Sequence, residues 1–276
     1  MPSTSKRNLI LKVASAFTLG WSERPSGKQW LRMACRRLVL LVLRARGRTM
    51  DFRTLGSVVV IAPHPDDETF GCGGAVALLA RAGVGLHLAV ITDGSASHPD
   101  HPSMGRLELA TLRRTECMKA SESLGNPWRN IAFLGAPDGD LPRLDAERRD
   151  ATGKRLVAVL RDAAAAVVLI PCRRDGSSEH EAAFKIAQEA IGASGMRVRL
   201  LEYPVWSWWN PLLLLVPALS AQRVWHVDIS DVRELKSRAV ACYASQLKPL
   251  PPDSTPALPS GFGDGFLGRD EFFLEN

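Results

Sequence analysis

Residues 58–74, VVVIAPHPDDETFGCGG, set His64 and three successive acids, Asp66, Asp67 and Glu68, directly after a run of β-branched residues. Adjacent carboxylates repel one another and favour water, so the end of a core strand suits them only where something there requires negative charge. A metal cation has that requirement. His64 and Asp67 form an H-x-x-D spacing on a turn, which aims both side chains at one spot and turns Asp66 elsewhere. A second cluster, RRDGSSEHEAA at residues 173–183, brings His180 to the start of a helix. Two histidines and one carboxylate make a catalytic zinc set with one position left for water. The same set suits non-haem iron(II), so ligand type leaves Zn2+ and Fe2+ both open. Such an ion lowers the pKa of its water to about 7, and Asp66 is free to take the water's proton as general base. That chemistry is hydrolysis. The competing structural reading makes Asp66 or Asp67 the N-cap of a helix that begins near Gly71, and His180 an ordinary first-turn residue.

These side chains come from distant parts of the chain, so the elements between them must bring them together. Short apolar runs at residues 57–62, 86–94, 131–135, 166–172, 198–205 and 223–229 read as buried strands. They alternate with helical patterns at residues 71–83, 106–125, 147–163, 179–191 and 232–246. Strand and helix in turn predict an α/β fold, with a mostly parallel sheet and helices on both faces. In such folds ligands bind beyond the carboxyl ends of the strands, where both clusters fall. PLPPDSTPALPSGFGDG, near the C-terminus, reads as a surface loop.

Six stretches, APHPDDETFGCGG, VITDG, LRRTECMKASESLG, FLGAPDGDL, PCRRDGSSEHEAA and LKSRAVACYASQ, follow one another across roughly residues 55–247. Together they resemble the LmbE-like (PIG-L) zinc-dependent N-deacetylases. The family removes acetyl from N-acetylglucosamine units of larger molecules. The resemblance implies a Rossmann-like three-layer fold, with His64, Asp67 and His180 as zinc ligands and Asp66 as the base. It also implies that Arg113 lies near sugar or phosphate oxygens of the substrate and that Asp138 bonds a sugar hydroxyl. Their alternatives are a surface ion pair of Arg113 with Glu116 or Glu122 and a turn role for Asp138 in Pro-Asp-Gly.

One departure stands out. The family's second motif reads H-x-D-H, whereas this chain has Ser177, Ser178, Glu179 and His180. Serine can donate a hydrogen bond but cannot act as a cationic acid, and loss of one oxyanion donor costs about a hundredfold to a thousandfold in rate. His226 could act in its place, or be an edge-strand histidine. His98 and His101 belong to a mobile loop, a lid or an auxiliary ligand set. The expected activity is removal of acetyl from an N-acetylglucosamine-type amide in a small glycoside or a glycolipid. The alternatives are a sugar- or glycolipid-binding module with weak or no catalysis, and a hydrolase of another amide or ester.

The bulk properties fit this frame. The chain has 276 residues, 46% hydrophobic and 23% charged. Eleven Lys and Arg but one acid, Glu23, fall in the first 50 residues, which leaves the remainder mildly acidic. The chain therefore divides into a basic arm or helix (1–50) and a deacetylase-like domain (51–276). The arm's basic residues alternate with leucine and valine rather than stacking aromatics, which argues against nucleic acid as a partner. The arm reads either as an amphipathic helix giving peripheral membrane association, or as a solvated or core-docked helix. Five scattered cysteines without a CxxC pair point to a reducing compartment, the cytoplasm or the inner face of its membrane. The aromatic and aliphatic stretch from Tyr203 to Leu219 is read as core, or as a wall for a sugar ring or acyl chain.

Overall fold

The computed structural model describes residues 27–51, 55–219 and 222–276. The first half of the basic arm thus lies outside the described residues. The strands are β1 (Arg48–Thr49), β2 (Val58–Ala62), β3 (Leu86–Thr92), β4 (Trp128–Ala136), β5 (Val167–Pro171), β6 (Arg199–Tyr203), β7 (Arg223–Asp228) and β8 (Asp270–Glu275). The α-helices are α1 (Gly27–Arg46), α2 (Asp67–Arg81), α3 (Arg106–Ser123), α4 (Ala146–Asp162), α5 (Ser178–Ser194), α6 (Leu212–Leu219), α7 (Arg233–Ala241) and α8 (Ala244–Leu247).

Every residue of β2 and β5 is buried, because the sheet is covered on both faces. Successive side chains alternate between the faces. Val58, Val60, Leu88 and Leu169 join a core that also takes residues of α2, α3 and α7. Val59, Ile61, Ile91 and Val168 join another, built with α4 and α5. The strands make one sheet in the order β1-β7-β8-β6-β5-β2-β3-β4. Its neighbours are parallel, except that β8 runs antiparallel to β6 and β7. The chain leaves β2 for β3 and β4 on one side, then returns to β5 on the other. β2 and β5 therefore flank the point where strand order reverses, and a crevice opens beyond their carboxyl ends.

Three features depart from the sequence reading. Helix α2 begins at Asp67 rather than near Gly71, so the acidic motif forms its first turn. The helix is kinked at Cys72, whose backbone is non-helical. Gly71 lies against the Tyr203 ring and Gly74 against Ile229, so closely that an added Cβ would overlap either neighbour. Second, β1 and β8, formed by residues not expected to be strand, flank β7 at the far side of the sheet. Third, the C-terminal Pro/Gly-rich segment is only partly surface, since its Phe262 is buried in the core. Residues 27–46 of the arm form α1, which buries Val39 and Leu43 against Leu214, Val224 and Phe272.

Candidate functional site

The loop after β2 is pinned by Thr92, whose N–H and hydroxyl both donate to the Pro63 carbonyl at 2.9 Å. It turns at once into α2. Asp67 Oδ2 accepts from the His64 backbone N–H at 2.9 Å and lies 3.1 Å from His64 Nδ1. The loop after β5 delivers His180 in the first turn of α5, with Nε2 3.3 Å from the same Asp67 oxygen. The His64 and His180 rings are 5.5 Å apart. One ligand atom from each of His64, Asp67 and His180 falls within 4.8 Å of the others. The H-x-x-D pair and the distant histidine therefore meet at the strand-order reversal.

Two carboxylates stand behind the imidazoles. Asp175 Oδ2 is 2.8 Å from His180 Nδ1. Asp175 is itself fixed by the backbone N–H groups of Val205, Trp206 and Ser207 and by the Ser207 hydroxyl. In the neutral imidazole, a carboxylate there holds the proton on Nδ1 and leaves a lone pair on Nε2. That Nε2 is buried and makes no hydrogen bond. Asp138 Oδ1 lies 3.2 Å from His64 Nε2, while its Oδ2 accepts from Ala96 N–H at 2.7 Å. Asp138 thus stands to His64 as Asp175 stands to His180. His64, Asp138 and Glu179 form a second grouping able to hold a cation. A neutral imidazole has one lone pair, however, so His64 can ligate in only one set. The unbonded Nε2 of His180 favours the set with Asp67. An orphaned, buried imidazole nitrogen facing a carboxylate and a second imidazole fits a divalent metal.

The electrostatics of the centre agree. Burial alone would lower the His180 imidazole, but Asp67 and Asp175 outweigh it and hold the group at about 9. Burial likewise opposes protonation of His64, yet Asp138, Asp67 and Glu179 raise it well above its ordinary value. Burial would raise Asp67, but His180 and His64 hold it far below the usual carboxylate range. The carboxylates thus create a demand for positive charge that protons or a cation can meet.

Asp66 lies outside this set. Its Oδ2 accepts from Arg113 Nη2 at 2.9 Å. Burial pushes its carboxyl up to about 6, against the pull of the Arg113 guanidinium. Arg113 is buried and also reaches the Pro65 carbonyl at 3.2 Å. The alternative of a surface ion pair with Glu116 or Glu122 is corrected accordingly: Glu116 is occupied by the Ser245 N–H and hydroxyl, at 2.7 and 2.6 Å. Asp66 sits at the N-cap position of α2 without a side-chain capping bond, and Asp67 lies inside the helix, which removes the capping alternative for both.

Over the centre lies a cleft of about 320 Å³. His64, Asp66, Arg113 and Asp138 form its polar part, and Phe70, Val205, Trp206, Leu258 and Phe262 form an apolar wall. Ser177 caps α5 by accepting from His180 N–H. Glu179 accepts from Leu141 N–H at 2.9 Å and Gly139 N–H at 3.3 Å, tying α5 to the Pro-Asp-Gly turn. His98 is buried between Asp253 and the Ser245 carbonyl, and His101 bonds the Pro251 carbonyl. Both brace loops and neither joins the centre. His226 lies in β7 beside Thr49 and Phe272, away from the cleft. The residue missed by sequence reasoning is Asp175; its signal is an acid five positions before the candidate ligand His180.

Comparison with known proteins adds an independent line. The profile of the family described as PIG-L, GlcNAc-PI de-N-acetylase, matches residues 59–191. The chain is 31% identical to the diacetylchitobiose deacetylase of Thermococcus kodakarensis, over 71% of this chain and 72% of that protein. It is 29% identical to the 4-oxalmesaconate hydratase of Pseudomonas putida, over 69% of this chain and 74% of that protein. The fold matches the N,N'-diacetylchitobiose deacetylase of Pyrococcus horikoshii with a TM-score of 0.56 at 22% identity, covering 83% of this chain and 82% of the other.

Proposed function

The chain belongs to the PIG-L family, and on that footing we propose that it is a hydrolase that removes the acetyl group from an N-acetylglucosamine-type amide, in a glycoside or a glycolipid. The observation that carries this reading is the buried, unbonded Nε2 of His180, which converges with His64 and Asp67 beside a carboxylate held apart from them, Asp66. His64, Asp67 and His180 would hold the ion. When bound, a Zn2+ there supplies Lewis acidity, acidifying water and polarising a carbonyl, and Fe2+ fits the same donor types.

The remaining steps belong to the chain's own groups. Asp66 accepts a proton from the attacking water, a task suited to a carboxyl raised to about 6 and so mostly ionised at neutral pH. Arg113 fixes its orientation through Oδ2. As the water oxygen bonds to the acetyl carbon, the carbon–nitrogen bond breaks. Asp66 returns the proton to the departing nitrogen, and the products are acetate and a free amine. Arg113 lines the cleft beside Asp66, where a sugar or phosphate oxygen of the substrate would approach its guanidinium. Asp138 has both oxygens engaged by His64 and Ala96, so a sugar hydroxyl would share them. Trp206, half-buried in the cleft wall and backed by Phe262, offers a flat apolar ring on which a sugar would stack.

The identity to a hydratase favours a second reading, in which the same activated water adds to a carbon–carbon double bond. The test is acetate release from a panel of N-acetylated glycosides and glycolipids, with 4-oxalmesaconate assayed alongside. Asp66→Asn is expected to keep its metal, measured by elemental analysis, and to lose about a hundredfold to ten-thousandfold in turnover. Unchanged turnover in that variant would remove Asp66 as the base. Sugar binding without acetate release would make the protein a binding module.

A further inference from the structure

Helix α1 is apolar on two faces. One is accounted for: Val39 and Leu43 are buried against the body of the protein. The other carries Leu31, Ala34, Leu38, Leu41 and Ala45, spaced 3, 4, 3 and 4 residues apart, which places them on one stripe. All five are exposed to solvent. Helix α6 packs beside α1 and adds Leu212 and Leu219. The five leucines of this surface are each between 54% and 66% exposed. An outward leucine stripe on a surface helix lacks a physical reason in water alone.

The charge around the stripe indicates what covers it. Helix α1 contains six Lys and Arg and no acid. Arg44 pairs with Asp270 at 2.8 Å, and Arg36 lies over the Trp208 ring and donates to the Gly265 carbonyl, whereas Arg32 rests on the Trp209 ring with no acidic partner among the described residues. Arg37 and Arg44 immediately precede Leu38 and Ala45 along the stripe. A second copy of the helix, packed through the same leucines, would set one helix of six cations and no acid against another. An anionic lipid surface receives the leucines among its acyl chains and neutralises the arginines at its headgroups. Among the described residues no helix is long and apolar enough to cross a membrane. We infer that α1 and α6 form a docking surface on which the protein lies, peripherally, on an anionic bilayer. The surface is joined to the active-site cleft by ring contacts. Arg32 lies 4.1 Å over Trp209, Trp209 is 5.9 Å from Phe262, and Phe262 packs at 4.9 Å on Trp206 in the cleft wall. Docking therefore sets the cleft at a fixed place relative to the lipid surface, whichever reaction it performs.

The test is co-sedimentation of the full chain with vesicles of phosphatidylcholine alone, and with vesicles of about three parts phosphatidylcholine to one of phosphatidylglycerol. Binding is expected to the anionic vesicles only, and to weaken as salt is raised. The paired substitutions Leu38→Asp and Leu41→Asp are expected to lower partition by about tenfold or more, with the far-UV circular dichroism unchanged. Comparison of the unaltered chain on the two vesicle types decides the matter even if that variant fails to fold. Equal partition onto both vesicle types, no partition onto either, or a folded double variant that binds as well as the parent would overturn the proposal. So would a concentration-dependent dimer of the parent in sedimentation equilibrium that the same substitutions dissolve, since the face would then be occupied by a second copy.

Discussion

Arg113 and Asp66 are joined by one 2.9 Å contact, and its consequence can be measured. As the proposed base, Asp66 would work only when unprotonated, so activity is expected to fall as pH drops below its effective pKa. Burial raises that pKa and the adjacent guanidinium lowers it. Arg113→Ala removes the lowering influence, so the acid limb of the kcat/KM profile is expected to move to higher pH. Arg113→Lys keeps the charge and should move it less. An acid limb unmoved in Arg113→Ala would show that the profile reports another group. This coupling was only half legible in the sequence. The H-x-x-D spacing and the neighbouring acid could be read because they are local. The partner of Arg113 could not, since Asp66 lies 47 positions away and Glu116 and Glu122 are nearer alternatives. Asp175 escaped notice for the same reason: its role depends on backbone N–H groups 30 to 32 residues further on.

At the scale of elements, the kink in α2 separates the turn that carries Asp67 from the body of the helix. Breaking a helix leaves backbone groups without partners. Here Glu271 of β8 accepts from the N–H groups of Gly74 and Ala75, at 2.8 and 2.7 Å, and Lys236 of α7 donates to the freed Phe70 carbonyl at 2.7 Å. Lys236 and Glu271 meet at 2.6 Å, both almost wholly buried. The pair is therefore the splice between the two halves of α2. Lys236→Met would leave a buried carboxylate without its counter-ion, and the expected loss is about 3–5 kcal/mol of unfolding free energy in urea. Adding Glu271→Gln should recover part of that loss, because the uncompensated charge disappears. A single variant as stable as the parent would show that the two N–H donors satisfy Glu271 alone. Nothing local in the sequence marks Lys236 within the helical pattern at residues 232–246, because its partner Glu271 stands 35 positions later on a strand that no run of β-branched residues announces.

For the whole molecule, the central strands were legible because both faces of the sheet are covered, which leaves continuous apolar runs such as those of β2 and β5. The strand order was not, and it is the order that brings His64 and His180 together. That meeting couples the site to the stability of the protein. Without a cation, the surrounding carboxylates hold protons on the two imidazoles, His180 at about 9 and His64 well above its ordinary value. Groups whose pKa is raised by folding contribute stability that is complete below their unfolded value, near 6.5, and disappears as pH climbs through the folded one. The chelator-treated protein should therefore lose stability between about pH 6.5 and 9. A cation replaces those protons and adds its own linkage, about 2.7 kcal/mol at a hundredfold excess over Kd. It also binds better as pH rises, because it no longer competes with protons for the histidines. Both effects act in one direction. The difference in Tm between zinc-loaded and chelator-treated protein is expected to widen from pH 6 to pH 9. His180→Ala should narrow it at every pH. A difference that stays constant, or shrinks as pH rises, would mean that the imidazoles at 64 and 180 do not share the ion.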